Sequence, residues 1–266
     1  MKKILIILMI IAITAMIGGC IFFNTHTILC KEIYSNKSTD ITIGFLAPSD
    51  DFDKIKRLSK LKKLSFFRDD VTNIDFLSYL DDLEQLYLST HKVTDYKPIS
   101  NCTKLTHLSI ELTNFSDLSC LHNNHKLKKL RIISNNLKSL NGLEELNELE
   151  DLFVWSSNLN DISALNEAKQ IKKLTITTNE NIDYQCISCC TDLVELDLQG
   201  MENLSTLSID SLNNLQKINI AHTDFTNFES LLNLKSLEEV TVSNGQLNDE
   251  ITEALEEKGV SIEYVE

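Results

Sequence analysis

Seven cysteines and six histidines are the residues most able to do chemistry in this 266-residue chain. Three of the thiols crowd into Cys186-Ile187-Ser188-Cys189-Cys190, which superficially resembles a redox or zinc pair. A zinc site needs two further ligands, and none stands at a natural spacing. His122-Asn123-Asn124-His125 falls in a loop and is read as solvated. The signatures of a serine hydrolase, a phosphate-binding loop and a zinc protease helix do not occur. No catalytic residue, cofactor or metal ligand is therefore assigned. A thiol redox or hydrolytic enzyme using Cys186–Cys190 stays as a remote alternative.

Cys20 stands in a different setting. Met1-Lys2-Lys3 is a basic start, and an uncharged apolar run follows from Ile4 to Phe23. That layout reads as an export signal. The run contains Ile17-Gly18-Gly19-Cys20, an aliphatic residue and two small ones before a thiol. This resembles the bacterial lipobox. The resemblance implies a signal peptide over 1–19, cleavage before Cys20, and a diacyl lipid on the Cys20 sulfur. The chain would then sit outside the cytoplasm, anchored to the cell membrane by that lipid. The alternative is an uncleaved anchor, since Ile4–Phe23 is long enough to span hydrocarbon.

The rest of the chain is dominated by a repeat. Leu61, Leu83, Leu105, Leu127, Leu149, Ile171, Leu193, Leu215 and Leu237 are each 22 residues apart. The fourth and sixth residues of each unit are also apolar, as in Leu130 and Ile132 or Leu174 and Ile176, with mostly polar neighbours between. That alternation is the period-two mark of a strand. Apolar residues recur at the eleventh, fourteenth and seventeenth positions, a spacing that suits a short 3₁₀ or irregular turn. Phe52, Ile55 and Leu58 keep the phase in a partial unit ahead of the first.

These residues resemble the leucine-rich-repeat family, in the 22-residue type seen in bacterial internalin-like proteins. The resemblance covers nine full units from Leu61. It implies an α/β solenoid with a parallel sheet on the concave face and short 3₁₀ or irregular turns on the convex face. The expected organisation is a tether or N-terminal cap over 20–40, the array over 41–258 and a C-terminal cap over 248–266. That last cap would hold a helix up to Gly259 and a final strand over Val260–Val265.

Two positions depart from the family pattern. The family places asparagine ninth, where its amide bridges turns. Here only Asn135 and Asn179 keep it, among Asp69, His91, Thr113, Ser157, Met201, Thr223 and Gly245. Units six and seven shift an apolar residue by one, at Ile182 and Leu204, so irregular loops are expected there. Asp95, Asp117, Asp161, Asp183 and Asp249 share the thirteenth position. A carboxylate just before a turn caps free amides, which explains the spacing better than calcium does. Cys102 and Cys190 share the twentieth position four units apart, roughly 20 Å at strand spacing and too far to bond. They read as buried fillers. Across the thiols, buried or idle groups are favoured over one local disulfide and over metal or redox chemistry.

The second, third, fifth, seventh and eighth residues of each unit are expected on the concave face. Most are polar, but units two to five place Tyr87, Glu111, Leu112, Arg131, Ile133, Phe153 and Trp155 there, with Phe67 at the first unit. Aromatic residues and arginine dominate binding energy at interfaces. Tyr87, Glu111, Arg131, Ile133, Phe153 and Trp155 are the candidate partner-binding residues. Lys128-Lys129, Glu150-Asp151 and Lys172-Lys173 would pair across strands as register support.

A formal net charge of -14 makes nucleic acid an unsuitable partner. The expected function is that of an exported, lipid-anchored monomer that binds a protein or peptide through its concave face, in an adhesion role. The alternative is an envelope scaffold that holds another exported protein of the same cell.

Overall fold

A computed structural model describes residues 26–29, 32–44, 52–178 and 182–266. Eleven strands form one parallel sheet in strict chain order. They are β3 (Asp40–Ile43), β4 (Lys63–Phe67), β5 (Gln85–Ser89), β6 (His107–Glu111), β7 (Lys129–Ile133), β8 (Asp151–Trp155), β9 (Lys173–Thr177), β10 (Glu195–Asp197), β11 (Lys217–Asn219), β12 (Glu239–Ser243) and β13 (Ser261–Val265). Register follows the repeat. Leu130 faces Leu152, and Leu152 faces Leu174, so residues 22 apart become neighbours. The first joint takes one residue more, with Ile41 opposite Leu64. Fourth- and sixth-position side chains stack behind the sheet as one continuous core. No unit could bury that apolar face alone, so each depends on its neighbours.

The return path is a row of 3₁₀ turns, including Asp75–Tyr79, Lys97–Asn101, Ser163–Glu167 and Gln185–Cys189. Apolar residues three apart make this geometry favourable. Leu77 N–H donates to Ile74 O, Leu80 to Leu77 and Leu83 to Leu80, all at 3.0 Å. Each bonded residue is also a core residue. Thirteenth-position carboxylates start the turns. Asp95, Asp161 and Asp183 accept from the amides of Lys97, Ser163 and Gln185 at 2.9–3.0 Å, and Asp117 accepts from that of Ser119 at 3.1 Å. Asp249 departs from this rule, because Asn248 caps its helix by accepting from Ile251 N–H.

The eighth position corrects the sequence reading. It is expected on the open face, yet Arg68, Thr90, Ser134, Ser156 and Thr178 are buried. The strand ends at position seven, and the chain then turns the next side chain inward. Inside, Ser134 Oγ donates to Thr113 O and Phe115 O, Ser156 Oγ to Leu137 O, and Thr178 Oγ1 to Leu159 O, at 2.7–3.0 Å. These hydroxyls satisfy buried carbonyls of the preceding unit, the bridging task that the family gives to its asparagine. Exposed tenth-position amides add to it, with Asn114 Nδ2 donating to His91 O and Asn158 Nδ2 to Asn135 O, both at 2.6 Å.

Other units solve the corner differently. Leu112, Gly200 and His222 take positive φ at position eight, at 52°, 73° and 59°. The left-handed residue turns the ninth side chain inward instead, and Thr113 and Met201 are buried there. Glycine adopts that conformation without steric cost, whereas Leu112 and His222 carry strain. Between β10 and β11 no helical turn forms, and both strands shrink to three residues. The displaced Leu204 is the sequence sign of that irregularity.

Both ends are closed by non-repeating structure. Ahead of the array, β1 (His26–Leu29) and β2 (Glu32–Ser35) form an antiparallel pair whose Leu29 and Thr27 are buried. Arg68 ties this end down: it grips Asp70 with two nitrogens at 2.6 and 2.8 Å and lies over the Phe52 ring. At the other end are α1 (Glu229–Asn233) and α2 (Asp249–Glu257), the latter stopped by Gly259 at φ 82°. Lys258 Nζ donates to the carbonyls of Leu231, Leu232 and Leu234, at the C-terminal end of α1.

Candidate binding surface

Alternation along β4 to β9 sends fifth- and seventh-position side chains to the open face of the sheet. The parallel register then decides which of them meet. Arg131 stands opposite Phe153, and Ile133 opposite Trp155. Glu111 is the neighbour of Ile133 on the other side. Tyr87 lies two strands from Arg131, with Ser109 between them.

The contacts are more organised than adjacency requires. Arg131 Nε donates to Glu111 Oε1 at 2.8 Å, and Ser109 Oγ donates to the same oxygen at 2.9 Å. The Arg131 guanidinium carbon sits 3.7 Å from the Phe153 ring centroid. Stacking and the ion pair thus fix the plane of the guanidinium, leaving little rotamer freedom to lose on binding. Trp155 remains 40% exposed at the end of β8. Of the six candidates, Glu111, Arg131 and Phe153 form one cluster, Ile133 and Trp155 extend it, and Tyr87 closes its far side. Phe67 is half-buried beside Ser89. Leu112 lies past the end of β6 and is 56% exposed.

Sequence reasoning missed the floor and rim of this cluster. A hollow of about 330 Å³ opens over Ser109, bounded by Tyr87, His107, Lys129, Arg131, Asp151 and Phe153. The available signal was size: Ser109 is a small residue between Tyr87 and Arg131. Lys129 is held by Asp151 at 3.2 Å. Burial, then the nearby Lys129, pushes the His107 imidazole below its ordinary pKa.

Charges continue along the sheet as paired ladders. Lys173 meets Glu195 at 2.6 Å and Lys217 meets Glu239 at 2.7 Å, while Glu150 meets Lys172 at 3.1 Å. Lys173 pairs forward with Glu195 as well as facing Asp151 in register. All are exposed, so each contributes a few tenths to about 1 kcal/mol and chiefly sets register.

The thiols lie away from this face. Cys102, Cys120, Cys186 and Cys190 are buried, Cys189 is partly exposed, and all five are free. Cys186 Sγ donates to Ile162 O at 3.3 Å and Cys190 Sγ to Leu165 O at 3.6 Å, which fits Cys190 as a core filler and Cys186 as a buried, idle thiol. Burial pushes the four buried thiols up to about 12, from an ordinary value of 9.0. They should resist alkylation at pH 8 in the folded chain, with only Cys189 among the five modified before unfolding, as read by peptide mass mapping. Linkage adds a pH signature. Between pH 9 and about 12 the unfolded chain loses thiol protons that the folded chain keeps, so stability falls as pH rises through that window. Rapid native labelling of Cys186 and Cys190 would contradict this packing.

Comparison with solved structures points to one architecture. The chain superposes on the internalin InlF of Listeria monocytogenes with a TM-score of 0.67 and 21% identity, over 81% of this chain and 66% of that one. Internalin C2 of the same organism gives 0.61 and 24%, over 70% and 82%. The functional domain of its InlJ gives 0.62 and 15%, over 88% and 55%. This chain thus spans just under two thirds of InlF and about half of the InlJ domain. No family model and no curated protein matches the sequence. At these identities the likeness establishes the fold, a leucine-rich-repeat solenoid with its parallel sheet on one face and 3₁₀ turns on the other.

Proposed function

We propose that this leucine-rich-repeat chain is an exported binding protein that presents its open sheet face to a protein partner, in an adhesion role. One observation carries the reading: Arg131 is fixed between Glu111 and Phe153, beside the half-buried Ile133 and the exposed Trp155. A structural sheet face needs no such apolar, pre-set cluster, and its residue types are those that anchor interfaces. The fold shared with internalins agrees with a binding role, since the function of a solenoid resides in its surface.

Capture experiments with the immobilised chain separate the possible partners. Extracts of foreign-cell surfaces and of the same cell's envelope are passed over wild type and Trp155→Ala. A protein retained by wild type and lost with the variant supports the surface. Its source then decides between adhesion and an envelope scaffold. Equal retention by both forms would remove the sheet cluster from consideration.

Export and anchoring form the second part of the proposal. Ile17-Gly18-Gly19-Cys20 supports diacylation at Cys20, which lies outside the described residues, as does the segment Ile4–Phe23. Among the described residues no helix is long and apolar enough to cross a membrane. The wild-type product should gain the mass of a diacylglycerol and partition into detergent, and Cys20→Ser should do neither by this route. A full-length, unmodified wild-type chain would instead favour a membrane-helix anchor.

A further inference from the structure

We propose that the hollow over Ser109, between Tyr87 and the Arg131–Phe153 stack, receives one uncharged aromatic side chain of a protein partner. The proposal rests on the reading of the sheet face as a protein-binding surface, and it names what one site on that face takes.

Three features of the hollow set the class of its occupant. The first is width. Tyr87 and Arg131 are on strands that are second neighbours, roughly 9–10 Å apart at ordinary strand spacing. Ser109 between them has a short side chain, tied to Glu111 by its hydroxyl. A ring stacked between two planar groups takes roughly 7 Å, so one ring fits and two do not. The second is the chemistry of the walls. Tyr87 offers a phenol ring, and Arg131 offers a guanidinium whose plane is set by Phe153. Aromatic faces and fixed guanidinium planes both favour a π system. The third is charge. Arg131 is paired with Glu111 and Lys129 with Asp151. The carboxylates of Glu111 and Asp151 offset both cations and would repel an anionic ligand, so phosphate and carboxylate groups are disfavoured.

A protein is favoured over a glycan by what lies next to the hollow. Ile133 and Trp155 continue the face as an apolar step on β7 and β8. An aromatic residue carried on a chain can enter the hollow while its neighbours cover that step, the arrangement of an anchor and its surround.

The test is a titration of the isotope-labelled full chain, followed at the backbone amides of Ser109 and Arg131. The probes are N-acetyl-tyrosinamide, N-acetyl-leucinamide, methyl glucoside and inorganic phosphate. The tyrosine probe should move these amides with an affinity about fivefold higher than the leucine probe, the size expected of one stacking contact. Tyr87→Ala should remove that advantage and Tyr87→Phe should keep it, with thermal unfolding checked to be unchanged. Equal affinities for the tyrosine and leucine probes, or no movement with either, would overturn the proposal. Stronger movement by glucoside would assign the hollow to a glycan, and by phosphate to an anion, with the same consequence. If the probes fail while Trp155→Ala still abolishes partner capture, the hollow is wrong and the surface stands. If capture is insensitive to Trp155→Ala, the surface itself fails.

Discussion

Replacing Leu152 with alanine will destabilise the array by roughly 2–5 kcal/mol. Leu152 is the fourth residue of its unit, 1% exposed, and stacked between Leu130 and Leu174. Truncation removes its transfer free energy and leaves a cavity that the flanking units cannot fill, because the strands on both sides hold the spacing. The defect lies mid-array, where every contact with the next turn passes through one nearest-neighbour interface. Unfolding should therefore begin earlier and lose cooperativity, visible as a lower and broader thermal transition by circular dichroism. Lys128→Ala, on the exposed side of the strand start, should cost under about 1 kcal/mol, since its backbone carbonyl still accepts from Glu150 and Asp151. Equal losses from the two changes would mean that the faces of the sheet are assigned the wrong way round.

The second large effect is on affinity. Trp155→Ala should weaken the captured partner by about 2 kcal/mol or more, some thirtyfold, with little change in stability. Trp155 is the single tryptophan of the chain, and it projects from β8 beside Ile133 and Thr177. Its emission should be red-shifted and readily quenched by acrylamide in the free protein. Both properties should reverse when the partner covers it. A blue, unquenched Trp155 in the free chain would contradict the register of β8. An exposed Trp155 whose loss leaves affinity unchanged would move the site off this face.

A 22-residue interval that places leucine or a close relative at positions one, four and six leaves one workable packing. The period-two pair needs a strand, the following residues at intervals of three need a tight turn, and successive units must stack to bury either. Strand register, the core and the 3₁₀ path were therefore legible from spacing alone. So were the turn-capping roles of Asp95, Asp117, Asp161 and Asp183, because an aspartate ahead of a turn acts within two residues of itself. The outward direction of Phe153 and Trp155 followed from the inward Val154 for the same local reason.

Contacts between units, and the conformation at each corner, were decided only in three dimensions. Sequence could list Ser134, Ser156 and Thr178 but placed them on the wrong face, because one backbone rotation after position seven reverses the side-chain direction. Their partners lie 19 or 21 residues back, and only stacking reveals that buried carbonyls there need a donor. The left-handed Leu112 and His222 carry no local sign at all, since leucine and histidine do not ask for that conformation. The binding cluster divides along the same line. Residue type and strand parity announced Arg131, Ile133, Phe153 and Trp155. The clamp of Glu111 on Arg131 and the hollow over Ser109 depend on side chains of four neighbouring strands meeting, which a strand spacing of about 4.8 Å arranges and no stretch of sequence contains.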